Sequence, residues 1–230
     1  MAAPANKTIG DLNGKWYFNK TLSDSFEPAL RLQGVSWLVR TAIGASNITL
    51  HVRHYLSPPS PEASDAAGAA ASGAAVEIPH VDIEQVATGG VRGTTENRTA
   101  DFTFREHTDW LFGRVRGRCK FLTSEELAAF LADEDAAGKG WVDGDEGVRF
   151  LLDGWLVGPA EAAGPFGQGR PLFLSHVENL DESGGWTATQ VWGFQDVGGE
   201  RRYARNVITA KEGKFVSIKM VYDWVPEQEE

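Results

Sequence analysis

Cysteine and long apolar runs are almost missing from this sequence. Cys119 is the single cysteine among 230 residues, which excludes an internal disulfide. No run approaches the roughly eighteen apolar residues that a membrane-spanning helix needs. The opening stretch MAAPANKTIGD lacks the apolar centre of a secretion signal. These absences predict a soluble, cytoplasmic protein without a membrane span.

Positive charge is also scarce. The chain has 22 Lys and Arg against 32 Asp and Glu, a formal net charge of -10. Such a balance argues against nucleic acid or an anionic membrane surface as the main partner. Acidic residues concentrate at 133–146 and in the tail 227–230, where we expect solvated surface.

Cofactor and metal motifs are missing too. The sequence has no Gly-rich phosphate loop and no Gly-x-Ser-x-Gly elbow. His51, His54, His80 and His107 do not have the spacing of metal ligands, and on a strand His51 and His54 would point to opposite faces. We therefore predict no cofactor and no metal.

The strongest pattern that is present lies in the last forty residues. Three runs rich in β-branched and aromatic residues, 186–197, 200–211 and 214–225, are separated by Gly198-Gly199 and Glu212-Gly213. Two-residue turns of this kind favour tight antiparallel hairpins and fix the register between strands. The sequence therefore predicts a three-stranded meander.

That register places three rows of side chains on one face. The rows are Phe194–Tyr203–Tyr222, Trp192–Arg205–Met220 and Gln190–Val207–Ile218. The opposite face carries Arg202 across from Asp223 and Asn206 across from Lys219, and we expect water there. The aromatic face is the predicted inner face, and it contains an arginine.

An inward arginine has two interpretations. A buried cation costs several kcal/mol unless it is paired or hydrated, so Arg205 favours an interior that holds ligand or water. Alternatively, Arg205 pairs with a structural carboxylate or stacks on Trp192.

The rest of the chain predicts a single all-β domain over 11–226. We expect a first strand at Trp16, two short helices joined at Gly34, and nine to ten antiparallel strands in all. The other predicted strands are 47–56, 76–88, 96–107, 110–122, 148–157 and 171–180. Residues 1–10 are predicted to be a flexible lead, 57–75 a disordered insertion, 124–147 a helix with an acidic loop, and 227–230 an acidic tail.

The order of Gly14-Lys15-Trp16, two short helices and a C-terminal meander resembles the calycin superfamily. The sequence is most similar to the intracellular fatty-acid-binding proteins and lipocalin-like proteins within it. The segment 26–42, which contains Trp37, is similar to their helical lid. The resemblance implies a closed, antiparallel, up-and-down β-barrel that holds a hydrophobic ligand, and we favour a monomer.

In that family an Arg-x-Tyr pair on the last strand grips the ligand carboxylate, helped by a second arginine. Here Tyr222 matches the tyrosine, but Met220 stands in the arginine position and Phe194 stands near the second one. The usual clamp is therefore absent. Arg205 lies across from Met220 in the predicted register, so its guanidinium can occupy nearly the same space.

The leading functional hypothesis is a carrier of a hydrophobic, aromatic or polycyclic small molecule. The residues predicted to bind that ligand are Trp37, Gln190, Trp192, Phe194, Tyr203, Arg205, Met220 and Tyr222.

The competing hypothesis is a cofactor-independent isomerase or cyclase, cycloadditions included, with a polyketide- or terpenoid-like substrate. If Leu180 pairs with Trp186, His176 and Glu178 point inward, and Glu106 is a further candidate for an inward carboxylate. The catalytic candidates are then His176, Glu178 and Arg205. A structural or protein-binding role is a third possibility.

Overall fold

The structure is a computed structural model that describes residues 1–58, 77–89, 93–133, 140–181 and 184–226. The tail 227–230 and most of the predicted insertion at 57–75 lie outside the described residues. Part of the predicted acidic loop, 134–139, lies outside them as well.

Eleven strands and four short helices make up the described fold. The strands are β1 Gly14–Phe18, β2 Ile48–Ser57, β3 Ile78–Ala87, β4 Thr95–Thr99, β5 Arg105–Asp109, β6 Gly113–Leu122, β7 Trp155–Leu156, β8 Leu172–Asn179, β9 Thr187–Val197, β10 Glu200–Lys211 and β11 Lys214–Val225. The helices are α1 Glu27–Leu32, α2 Trp37–Ala45, α3 Ser124–Ala132 and α4 Gly144–Leu152. No described helix has the length and apolar character to cross a membrane.

All the strands join one antiparallel sheet that curves into a half-barrel. The strand order is β4-β3-β2-β1-β11-β10-β9-β8-β6-β5, and the two-residue β7 extends the sheet beside β9. The predicted all-β, antiparallel architecture of consecutive strands with two short helices after the first is confirmed, but the predicted closed barrel is not. The barrel is not fully closed, because among the described residues no ladder joins β4 to β5 or β6. The Phe102 N–H reaches the Cys119 carbonyl across this gap, at 2.9 Å.

The C-terminal meander has the predicted register. Trp192 pairs with Arg205, and Arg205 pairs with Met220. The turn residues Gly198 and Gly199 have φ of 67° and 81°, the left-handed conformation that a tight hairpin of this kind requires. Because this turn sets the pairing of β9 with β10, the aromatic rows share the inner face as expected.

The two helices after β1 are also confirmed. Pro28 lies in the first turn of α1, and the chain reverses at Gly34, whose φ is +83°. Ala29 packs against Val207 and Ile218 on the inner face of the meander. The helices therefore cover one end of the half-barrel.

The predicted strand at 148–157 is wrong in its first half, because residues 148–152 belong to helix α4, and only Trp155–Leu156 forms a strand. Val148, Leu151 and Leu152 recur at helical spacing, and Leu151 is fully buried. Together α3 and α4 cover the outer face of β8, β9 and β10. As a result Asn206, which we expected to face water, is buried, and its side-chain amide donates to the Phe150 carbonyl at 2.7 Å.

The first ten residues are not a loose lead. Ile9 is fully buried in the inner core, and the Ala3 N–H donates to the Arg201 carbonyl at 2.8 Å. The Arg201 guanidinium in turn donates to the Lys7 carbonyl at 2.7 Å. These contacts fix the segment against the sheet.

The predicted strand 96–107 is divided into β4 and β5. Phe102 has a φ of +61°, which interrupts the strand and its alternation of faces. Phe102 and Phe104 consequently pack on the outer face against Arg118, whose guanidinium carbon lies 4.2 and 4.5 Å from the two rings. Glu106, predicted to face inward, is instead 61% exposed and pairs with Arg114.

Candidate functional site

A hollow of about 200 Å³ lies between the meander, strands β1 to β3 and the two lid helices. Its walls are mainly apolar, with Phe18, Phe26, Leu30, Ile43, Leu50 and Ile218 among them. Its polar lining includes Glu96, Gln190 and Arg205. Apolar walls with a few convergent polar groups are typical of small-molecule sites.

The Arg205 guanidinium is the central polar group of this hollow. Its side chain is buried at 3% exposure, and its guanidinium carbon lies 3.9 Å from the centre of the Trp192 ring. Nε donates to the Tyr203 hydroxyl at 2.8 Å, and Nη1 is 4.0 Å from a Glu96 oxygen. Nη2 has no hydrogen-bond partner within the described ranges. The geometry therefore leaves a buried donor in the wall of the hollow.

Glu96 is held mainly by other groups. Arg98 donates to its Oε2 at 2.7 Å, and Gln85 donates to its Oε1 at 2.7 Å. Burial would raise the pKa of Glu96, but the charges of Arg98 and Arg205 and these hydrogen bonds hold it below its ordinary value. The carboxylate therefore stays ionised and offsets only part of the positive charge of the two arginines.

The two inner tyrosines are neutral. Burial raises the pKa of Tyr203 and of Tyr222, although the charge of Arg205 acts in the opposite direction on both. The rings stack with centres 5.0 Å apart, and the hydrogen bond of the Tyr222 hydroxyl within the described ranges is a weak one to the Met220 sulfur at 3.8 Å. The Tyr222 hydroxyl is thus a second donor available to a ligand.

Of the predicted ligand-binding residues, Gln190, Arg205, Met220 and Tyr222 line the hollow. Trp192 and Tyr203 are buried directly behind Arg205 and contact its guanidinium. Phe194 lies deeper, where its ring contacts those of Trp16 and Tyr203. Trp37 is 70% exposed on α2 and does not line the hollow.

The predicted inward orientation of His176 and Glu178 is wrong. The strands β8 and β9 pair His176 with Thr189 and Glu178 with Thr187, one residue away from the predicted register. Both side chains therefore belong to the outer face, and Ser175 points inward in their place. The loop 181–185 is too long to fix a register from sequence, which explains the difference.

On the outer face His176 has structural contacts. Its Nδ1 is 3.0 Å from the Thr189 hydroxyl, and its ring centre is 3.9 Å from that of Trp141. A hydrogen bond from His176, with another from Arg116, holds the pKa of Glu178 at about 2. These contacts tie β8 to the segment at Trp141.

We expect His176→Ala to destabilise the protein by about 2 kcal/mol, since it removes buried hydrogen bonds and a ring contact. Urea denaturation measures this change. Ligand affinity and turnover should stay within about twofold of the wild type, because the residue lies across the sheet from the hollow. A large loss of turnover with unchanged affinity would contradict this placement.

Sequence reasoning missed the pair Glu96 and Arg98. Both lie on β4, two residues apart and hence on one face, and they meet the meander only through the curvature of the sheet. The sequence shows the spacing Glu-x-Arg, but no nearby turn or pairing signal predicts that these residues lie beside Arg205.

His54 is a second buried polar group on the inner face. Its ring packs between those of Phe121 and Phe166, and neither ring nitrogen has a hydrogen-bond partner in the described part of the chain. Burial lowers the pKa of His54 from 6.5 to about 4, with Asp11 opposing and Lys7 reinforcing this effect. The folded protein therefore keeps this imidazole neutral.

We expect the His54 pKa to make stability depend on pH. Between pH 6.5 and 4 the unfolded chain binds a proton at this residue and the folded chain does not, so stability falls as pH falls through that window. The loss amounts to about 3 kcal/mol, measured as the free energy of unfolding. His54→Leu should remove this component, and His51→Gln on the same strand should retain it. An unchanged pH profile in His54→Leu would refute the assignment.

Metal ligands do not converge anywhere in the described residues, where no group of three or more His, Cys, Asp or Glu side chains is placed to hold an ion. The fold and the hollow together define an antiparallel half-barrel with an interior cavity and a buried guanidinium in its wall.

Comparisons with known proteins place two fungal relatives beside this chain. It is 27% identical over 227 residues to a probable pericyclase, scpY, of Mollisia scopiformis, covering 99% of this chain and 96% of the relative. It is 21% identical over 225 residues to the pericyclase pydY of an Acremonium species, covering 98% and 97%. No family model matches the sequence.

Similar solved structures include the REP1-NXSQ fatty acid transporter and As-p18, an extracellular fatty acid binding protein. The first has a TM-score of 0.44 and 13% identity, covering 94% of this chain and 98% of the other. The second has a TM-score of 0.43 and 13% identity, covering 95% and 100%.

Proposed function

We propose that this protein is a cofactor-independent pericyclase that binds a hydrophobic, polyunsaturated small molecule in the hollow. The observation that carries the proposal is the buried Arg205 guanidinium in the wall of an apolar cavity, whose Nη2 has no hydrogen-bond partner among the described residues. Its support from the comparisons is that both fungal relatives are named pericyclases and span nearly the whole chain. The cytoplasmic location and the monomeric state stay predictions.

The proposed chemistry needs little from the protein. In an intramolecular cycloaddition, two π bonds are replaced by two carbon–carbon σ bonds, and no atom enters or leaves. Apolar walls that hold the substrate folded lower the entropic part of the barrier. Arg205 Nη2 donates to a carbonyl oxygen conjugated with the reacting alkene, and this hydrogen bond strengthens as charge develops on that oxygen.

The test uses 1,7,9-decatrien-3-one, a polyene ketone that closes to a bicyclic isomer of the same mass. We expect the protein to accelerate closure by roughly 100-fold over buffer and to favour one stereoisomer. Gas chromatography with a chiral column measures both quantities. The Trp37→Ala variant serves as the control, because Trp37 is exposed and lies outside the hollow.

A carrier gives a different result. If the ketone binds, as tryptophan fluorescence can report, but closes at the buffer rate with the buffer ratio of isomers, the enzyme proposal is wrong. The protein is then a carrier that uses the same hollow.

A further inference from the structure

A second cavity, of about 150 Å³, opens where the sheet fails to close. We call it the gap cavity. Its polar lining comes from both sides of the opening: Thr95, Asn97, Arg98 and Thr99 from β4, and Arg105 and His107 from β5. This lining contrasts with the mainly apolar walls of the hollow.

The gap between β4 and β5 has a structural cause. The segment 100–104 turns away at Phe102, whose positive φ prevents β4 from continuing into β5. The Phe102 N–H bond to Cys119 and the ion pair of Asp101 with Arg105 hold the two sides at one end. Since β4 and β5 are the ends of the described sheet, no described strand pairs with their outer edges by a ladder of backbone hydrogen bonds.

The gap cavity and the hollow adjoin each other, because six residues line both. Gln33, Thr94, Glu96, Phe112, Ala188 and Gln190 line both. The junction therefore lies at Glu96 and Gln190, next to Arg205.

Arg98 lies beside this junction. It bridges from β4 to β8 by donating to the Ser175 hydroxyl at 2.7 Å while it pairs with Glu96. On the opposite wall, Gly117 and Ala188 have little or no side chain, which leaves the space between the strands unfilled.

We infer that the ligand has two parts: a hydrocarbon part in the hollow, and a head group rich in amide or hydroxyl groups in the gap cavity. The carbonyl that joins the two parts then lies at the junction, within reach of Arg205. This inference rests on the proposed function, which makes the hollow beside Arg205 the ligand site. It concerns ligand binding, and its test does not require turnover.

The test measures displacement of N-phenyl-1-naphthylamine, a fluorescent apolar probe, by two competitors with the same chain. N-decanoyl-serinamide carries an amide and hydroxyl head group, and decan-1-ol carries one hydroxyl. We expect the amide to compete about tenfold more strongly, because its head group makes two or more hydrogen bonds in the gap cavity.

Gly117→Val probes the location of the head group. A Cβ at Gly117 would meet Val177 Cγ2 at 3.5 Å and the His176 carbonyl at 3.6 Å, which are ordinary contacts, so the variant fits the strand while it fills the cavity. We expect the tenfold advantage of the amide to disappear and the affinity for decan-1-ol to stay unchanged. Gly117→Ala, the milder variant, should reduce the advantage about threefold and serves if the valine does not fold.

Equal competition by the two compounds in the wild type would overturn the inference, as would an advantage that stays undiminished in the folded Gly117 variants. Neither outcome bears on closure of the decatrienone, which has no head group. If the protein prefers the amide head group but does not accelerate closure of the decatrienone, the inference about the ligand stands and only the proposal of an enzyme is wrong.

Discussion

The wild-type protein is expected to accelerate closure roughly 100-fold, and replacing Arg205 with methionine should remove most of that acceleration. The variant should be at least as stable as the wild type. The loss follows from removing the one donor aimed at the reacting carbonyl. Stability is retained because Arg205 is a buried cation with one good hydrogen bond and a Glu96 contact of 4.0 Å. Apolar replacement of such a group is often neutral or stabilising.

The Lys variant at position 205 is the matched control. It keeps the charge but lacks the planar fork that stacks on Trp192 and donates to Tyr203. We expect its turnover to lie between those of the wild type and Arg205→Met. Kinetics with the decatrienone and thermal denaturation of each protein measure the two effects. An Arg205→Met protein with full activity would contradict the assigned role.

Arg98→Met is expected to destabilise the protein by about 3 kcal/mol at pH 7. The reason is that Glu96 loses its nearest cation and remains as a carboxylate with limited access to water. Chemical denaturation measures the loss. The double variant Glu96→Gln with Arg98→Met is the control, and we expect it to recover most of the stability because no uncompensated charge remains.

The stability of the wild type and that of Arg98→Met should respond differently to a fall in pH. In the wild type the folded-state pKa of Glu96 is lowered, so its contribution to stability is present above pH 4.5 and is lost as pH falls through the folded pKa. Without Arg98 the effect of burial is less opposed and raises the pKa of Glu96, so the variant should lose less stability on acidification than the wild type. A single variant as stable as the double variant would show that Arg98 does not stabilise Glu96.

The parts of the fold that could be predicted from sequence are those with local determinants. The turn at Gly198-Gly199 fixes the pairing of Trp192 with Arg205, and the inner position of the guanidinium follows from that pairing alone. Helix α3 begins at a capping box between Thr123 and Glu126, a signal within four residues.

The parts that were missed depend on contacts distant in sequence. The predicted face of His176 is wrong because the loop 181–185 does not fix the register between β8 and β9. A shift of one residue in that register moves every side chain of the strand to the other face of the sheet. The stretch 148–157 has apolar residues compatible with a strand, and its helical form is favoured by burial against Val191 and Ile208. Glu96 and Arg98 reach Arg205 only after the sheet has curved.

The most direct test of the account is a crystal structure of the protein with N-decanoyl-serinamide bound. The account predicts the amide carbonyl oxygen at about 2.9 Å from Arg205 Nη2, with the chain under the lid helices. A ligand bound outside the hollow, or one whose oxygen is turned away while Arg205 pairs fully with Glu96, would contradict the central claim.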